Sequence, residues 1–173
     1  MANNIKRLIE QGFIARDSSV RDLTVKYLRK ARSNLITMSL LSDINSNKKV
    51  RDLLNIPQDY DSDEWVVICG YYAIYSSALA LIAKIGYRSK NHSATIILLE
   101  EFFIKNRLMS EKDITSLKNA MLKKEEIEKL SEARHKREIA QYSVTKQTTR
   151  EIAGNIKKDA YYFVNKCEKI LEK

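Results

Sequence analysis

Residues 65–86 read WVVICGYYAIYSSALALIAKIG, and this segment decides the fold of the chain. It contains no proline and closes at Gly86, a residue type that favours the C-terminal end of a helix. Large apolar side chains recur at steps of three and four residues, which predicts a helix with one continuous apolar face: Trp65, Ile68, Tyr72, Tyr75, Leu79 and Ile82. Small residues form a second stripe: Gly70, Ala73, Ser77 and Ala80. We therefore predict a central helix that packs on two sides.

The same segment has about the length of a membrane span. Ser76, Ser77 and several tyrosines interrupt its apolar character, and charged residues continue up to both ends. We therefore interpret it as the core helix of a soluble protein, with no membrane as a partner.

Composition favours one helical domain. The chain has 173 residues, of which 44% are hydrophobic, and this is enough to bury a core without disulfides or metals. One proline and four glycines favour long helices, and we find neither strand-like alternation nor a hairpin motif. We predict a single helical domain over residues 1–173, with its core at about residues 18–172.

The charge balance is basic, with 31 Lys and Arg against 22 Asp and Glu, a formal net charge of +9. A positive field suits nucleic acid, an acidic protein or an anionic surface. A merely soluble lysine-rich protein has the same balance, so charge alone does not identify the partner.

The sequence contains no recognised metal or cofactor motif. Cys69 and Cys167 lie on apolar helical faces without a second cysteine or histidine nearby in sequence, so we predict two small buried side chains. Two cysteines without a partner suit a reducing compartment. Residues 1–17 lack the continuous apolar run of a signal peptide. We predict a cytoplasmic protein with neither cofactor nor metal.

Helical periodicity and capping residues predict the order of the remaining elements. A short helix over about residues 4–15 precedes a longer one that Asp17 or Ser18 caps and that ends near Asp43, followed by a helical turn at 50–54. After the central helix, Asn91 or Ser93 caps the next one, and Ser110 with Asp113 has capping-box spacing at the start of a helix over about 111–141. The last helix runs from about Thr148. The sum is an all-α, antiparallel up-and-down four-helix bundle with one or two short extra helices.

One segment, EARHKREIAQYSV at residues 132–144, departs from this pattern. The apolar stripe of Ile127 and Leu130 continues at helical spacing to Arg134 and Arg137, where a bundle ordinarily has apolar side chains. Buried guanidinium groups require carboxylate, carbonyl or phosphate partners. The two arginines therefore either bind an anion, pair with acidic groups such as Glu132 and Glu138 or those before the central helix, or lie in solvent where the helix rotates or frays.

The quoted pieces GYYAIYSSALALIAKIGYRSKNHS and ARHKREIAQYS resemble the HEPN superfamily of small helical prokaryotic proteins. The first piece is similar to the family's "YYAMFHAA…L…G…H" helix pair, and the second occupies the place of its signature, an Arg followed after four to six residues by a His. The resemblance covers about residues 20–171. It implies a four-helix bundle, a homodimer whose signature helices line a shared cleft, and in many relatives a metal-independent RNA-cutting toxin paired with a minimal nucleotidyltransferase antitoxin.

Carried onto this chain, the resemblance assigns the signature Arg to Arg137, whereas Tyr142 stands where the family has His. The Arg would hold phosphate and stabilise developing charge. A tyrosine, with a pKa of about 10, transfers protons less readily near neutral pH than a histidine does. The implied catalytic residues are Arg137 and Tyr142. Arg134, Lys136 and Arg137 would contact RNA phosphates, and Tyr142 could stack on a base.

Three functions remain open at this point. The first is an RNA-directed HEPN protein, which is either an endoribonuclease or a binder that does not cleave. The second is a non-catalytic partner or scaffold of a minimal nucleotidyltransferase in a toxin–antitoxin pair. The third is a nucleotide-binding regulator.

Overall fold

The computed structural model describes the backbone of residues 2–136 and 142–173 and the side chains of residues 4–128 and 149–173. In chain order the elements are α1 (Ala2–Glu10), β1 (Ile14–Arg16), a 3₁₀ segment (Ser18–Leu23), α2 (Thr24–Ser46), α3 (Lys48–Leu53), α4 (Asp63–Lys84), β2 (Tyr87–Ser89), α5 (His92–Leu99), a π-helical segment (Glu100–Ile104), α6 (Glu111–Lys136) and α7 (Tyr142–Leu171). The predicted all-α class is confirmed, and the described residues contain three short α-helices where one or two were expected.

The four long helices, α2, α4, α6 and α7, alternate in direction. Residues at the end of α2 meet the start of α4, where Asn45 Nδ2 donates to Asp63 Oδ1 at 2.7 Å. Helix α7 runs parallel to α4, since Arg150 lies beside Asp63. Helix α6 runs the opposite way, with Lys124 Nζ 5.4 Å from the ring centre of Tyr71. Helix α4 contacts the other three and is the centre of the bundle.

Local hydrogen bonds explain where several elements begin. Asp17 caps the 3₁₀ segment by accepting from the backbone N–H of Ser19 at 2.9 Å, and Asn91 caps α5 by accepting from Ala94 N at 2.8 Å. Asp113 Oδ2 accepts from Ser110 N at 2.7 Å, so the predicted capping pair is confirmed with Asp in the usual place of Glu.

The face that α4 buries differs from the prediction. Its large apolar stripe is the more exposed one, with Trp65 57% and Tyr72 39% exposed, whereas the small stripe is buried throughout. A Cβ atom on Gly70 would lie 3.1 Å from Ile156 of α7 and 3.2 Å from Met38 of α2. The short side chains thus allow three helix backbones to approach closely, and Trp65 and Tyr72 of the large stripe are left exposed, whereas Ile82 at its other end is buried.

Two short strands correct the expectation that the chain contains no sheet. Strand β1 pairs antiparallel with β2, with Ile14 opposite Ser89 and Arg16 opposite Tyr87. Gly86, at φ +78°, makes the turn that leads from α4 into β2, and its carbonyl accepts from Asp17 N at 2.9 Å. Strands of three residues are too short to show alternation in the sequence.

The remaining predictions about the core have mixed outcomes. Both Cys69 and Cys167 are buried, as predicted. The last helix is already present at Tyr142, six residues before its predicted start. Among the described residues, α4 is long and apolar enough to cross a membrane, but 78% of its apolar window is buried inside the bundle, which identifies it as a core helix.

Candidate functional site

The predicted cationic site lies around the connection between α6 and α7. Arg134 and Lys136 belong to the last described turn of α6, and Tyr142 is the first described residue of α7. The side chains of Arg134, Lys136 and Tyr142 lie outside the described residues, and so does the whole of Arg137. The assignment of these four residues therefore stays a prediction. The structure shows the contacts that hold α6 and α7 against the rest of the bundle.

A polar cluster joins the start of α4 to the end of α2. Asn45 Oδ1 accepts from the backbone N–H of Ser62 at 3.1 Å, and its Nδ2 donates to Asp63 Oδ1. Asp61 Oδ1 accepts from Asp63 N at 2.8 Å and thereby caps the first turn of α4. Asp63 is 5% exposed, so this acidic approach to α4, which the sequence shows as a row of carboxylates, is partly folded into the bundle.

Arg150 connects this cluster to α7. Its Nε lies 3.5 Å from Asp63 Oδ2, and its side chain is 64% exposed. Burial raises the pKa of Asp63, while the hydrogen bond from Asn45 and the charge of Arg150 oppose the shift. The ion pair ties α7, about two turns after Tyr142, to α4. Sequence reasoning missed it because the two residues lie on different helices and share no motif.

A second polar group lies between α4 and α5. Tyr71 Oη and His92 Nε2 are 2.6 Å apart, and His92 is the first residue of α5. The ring of Tyr75 stacks parallel to that of Tyr71, with centroids 5.8 Å apart, and meets the His92 ring edge at 4.7 Å. Lys124 of α6 lies over Tyr71. Burial raises the pKa of Tyr71, so its hydroxyl stays protonated and holds His92 in place.

The histidine makes stability depend on pH. Burial lowers the pKa of His92 below its ordinary value of 6.5, so the folded protein binds fewer protons than the unfolded chain between the folded pKa and about 6.5. We expect the free energy of unfolding to fall as pH drops through this window. Urea unfolding at several pH values should show a flatter profile for His92→Gln than for the wild type. His135→Gln separates the contribution of the other histidine, and an unchanged profile in His92→Gln would contradict the assignment.

Among the residues that the structure describes, no group of three or more His, Cys, Asp or Glu side chains could hold a metal ion.

A comparison with known protein families identifies the family of this chain. The model of the HEPN domain family matches residues 48–170. The chain belongs to the HEPN family. The match contains α3, α4, α5, α6 and nearly all of α7, including the Tyr71–His92 pair, the Asp63–Arg150 ion pair and the α6–α7 connection, whereas Asn45 of the polar cluster lies just before it. No curated protein and no solved structure matches the chain significantly.

Membership in the HEPN family confirms the resemblance seen in the sequence, and HEPN domains commonly dimerise and act on RNA or nucleotides. The N-terminal part of the chain, with α1, β1, the 3₁₀ segment and α2, precedes the matched region. The small sheet therefore joins a segment outside the match to β2 inside it.

Proposed function

We propose that this chain is an RNA-directed HEPN protein that binds the RNA backbone at the α6–α7 connection. Arg134, Lys136 and Arg137 contact phosphates there, and Tyr142 stacks on a base. The observation that supports this most is the HEPN match itself, because it spans every element around the connection. The formal net charge of +9 adds a general attraction for the polyanion.

The chemistry of the site favours binding over rapid cleavage. Arg137 is suited to hold a phosphate and to stabilise charge that develops on it. His92 lies on α5 and is engaged by Tyr71, and His135 precedes Arg137 in the sequence, so Tyr142 is the residue that occupies the signature position of the proton-transferring group. A tyrosine transfers protons poorly at neutral pH, so any cleavage at this site is slow, needs both Arg137 and Tyr142, and proceeds without a metal.

Purified protein incubated with total RNA tests the proposal. We expect a gel shift at low salt, and we expect Arg137→Ala to weaken it about tenfold because one charge-assisted phosphate contact is lost. Incubation in the presence of a chelator, with Tyr142→Phe beside the wild type, reports metal-independent cleavage. Lys112→Ala removes an exposed lysine of the first turn of α6 and is the charge control. Absence of RNA binding at low salt would refute the proposal.

The second candidate is a non-catalytic partner of a minimal nucleotidyltransferase. The replacement of the signature His by Tyr142 favours it, and so does the exposure of Trp65 on α4, because large aromatic side chains are enriched at protein contacts. A nucleotidyltransferase gene beside this one, and co-purification of its product with the wild type but not with Trp65→Glu, would support this candidate. Unrelated genes on both sides would count against it.

We also propose a cytoplasmic homodimer, for which α2 offers a surface. Val25, Ile36 and Leu40 are 60–64% exposed and recur at helical spacing on one stripe. Light scattering should give twice the 20.1 kDa mass of the chain. Leu40→Glu should shift the protein to the monomer, whereas Leu53→Glu, at an exposed position on α3, should not. A monomeric wild type at high concentration would contradict the dimer.

A further inference from the structure

A cavity of about 270 Å³ lies at the opposite end of α4 from the polar cluster. It is enclosed by β1, β2, the start of α2 and the last two turns of α4, and its lining includes Ala15, Tyr27, Leu79, Tyr87, Arg88 and Lys90. Ala15 and Tyr27 belong to the N-terminal segment that precedes the HEPN match. The cavity therefore exists only because this segment folds back onto the HEPN part of the chain.

We propose that this cavity binds a small planar ring compound that bears one anionic group, either a carboxylate or a phosphate. Its size fits one ring system with a short substituent, because pockets for larger ligands begin at about 300 Å³. Neither this site nor its ligand depends on the proposed RNA-binding function.

The inner lining suits a ring. Leu79 and Ile82 of α4 provide apolar surface, and Tyr27 and Tyr87 provide aromatic surface. Within the described residues, neither tyrosine hydroxyl has a hydrogen-bond partner, although the Tyr87 ring packs on Phe102 with centroids 5.2 Å apart. Apolar pockets with a few convergent polar groups are the usual form of small-molecule sites.

The remaining lining suits an anion. Arg88 and Lys90 both line the cavity from β2 and its end. Asp17 pairs with Arg88, with 3.3 Å between the Arg88 Nε and Asp17 Oδ2 atoms, and its other oxygen is already held by Ser19. Arg88 is thus paired with a carboxylate, whereas Lys90 has no ion-pair partner among the described residues. Its Nζ lies beside Gly12, whose lack of a side chain leaves the ammonium room.

Four probes test the two halves of the ligand separately. Phenyl phosphate and benzoate combine a ring with an anion, whereas phenol and inorganic phosphate offer one half each. Titration calorimetry of the full chain should show saturable binding of at least one of the ring anions, at least about tenfold tighter than phenol or inorganic phosphate. Whichever of the two ring anions binds more tightly identifies the anionic group.

Variants of the lining residues test whether the ring anion binds in this cavity. Ala15→Phe places a ring in the cavity from an exposed strand position and should abolish binding, and Lys90→Gln should weaken it about tenfold. Lys112→Gln, which removes a distant exposed lysine, should leave it unchanged. The melting temperature of each variant shows that it is folded, and RNA gel shifts of Ala15→Phe should match the wild type.

The proposal is wrong if neither ring anion binds saturably to the wild type, if phenol or inorganic phosphate alone binds as tightly as the better of the two ring anions, or if folded Ala15→Phe binds as the wild type does. If the wild-type protein binds a ring anion but does not bind RNA, the proposed function is refuted and the proposal for this cavity stands.

Discussion

Gly70→Leu should destabilise the bundle by about 3 kcal/mol. Gly70 lies where α4, α2 and α7 meet, and a Cβ there would already be 3.1 Å from Ile156 and 3.2 Å from Met38. A leucine adds further carbon atoms to this contact, so the helices must separate or the side chains must leave their preferred rotamers. Urea unfolding followed by circular dichroism measures the loss, which is a large part of the roughly 5–15 kcal/mol that stabilises a domain.

The matched substitution is Gly154→Leu on α7. Gly154 is exposed, and no atom lies within 4 Å of the position that its Cβ would take. Leucine favours helix more than glycine does, so this variant should be more stable than the wild type by about 0.5–1 kcal/mol. Equal effects of the two substitutions would contradict the close approach of three helices at Gly70.

The position of α4 could be predicted from the sequence, but the face it buries could not. Its length and its end just before Gly86 follow from the apolar run and the glycine. The helix is apolar on nearly every side, however, and residues between the two predicted stripes, such as Val67 and Ile74, are fully buried. When both faces are apolar, periodicity does not distinguish them, and the close approach that Gly70 allows decides which face is covered.

Contacts between residues that lie far apart in the sequence could not be predicted, for a different reason. The β1–β2 sheet joins segments on either side of α2 and α4, and Asp63 meets Arg150 across about half of the chain. Neither pair has a motif, because the positions follow from how the helices pack. The row of carboxylates before α4 did indicate an acidic helix start, and Asp113 showed a capping pair, since both are local features.

The site proposed at the α6–α7 connection rests on a local irregularity, the arginines on an apolar stripe, together with the resemblance to HEPN proteins. The family match supports that reasoning at the level of the family. The salt dependence of RNA binding measures how many phosphate contacts these cations make.

Replacement of Arg134, Lys136 and Arg137 together by glutamine should weaken single-stranded RNA binding on the order of a thousandfold at low salt, because three charge-assisted contacts are lost. The salt dependence gives a sharper result. Each phosphate contact releases counterions, so the slope of log K against log salt concentration should become shallower by about two when three contacts disappear. Fluorescence anisotropy with a labelled oligonucleotide at several salt concentrations measures both.

The control removes the same charge elsewhere, by glutamine at the exposed lysines Lys49, Lys112 and Lys173. Both triple variants have the same net charge, so a general attraction between protein and RNA would lower affinity and slope equally in the two. A site at the α6–α7 connection predicts a large change in the first variant and a small one in the second. Equal changes would mean that the cations of this connection do not contact RNA, and the +9 charge of the chain would then act only as a diffuse field.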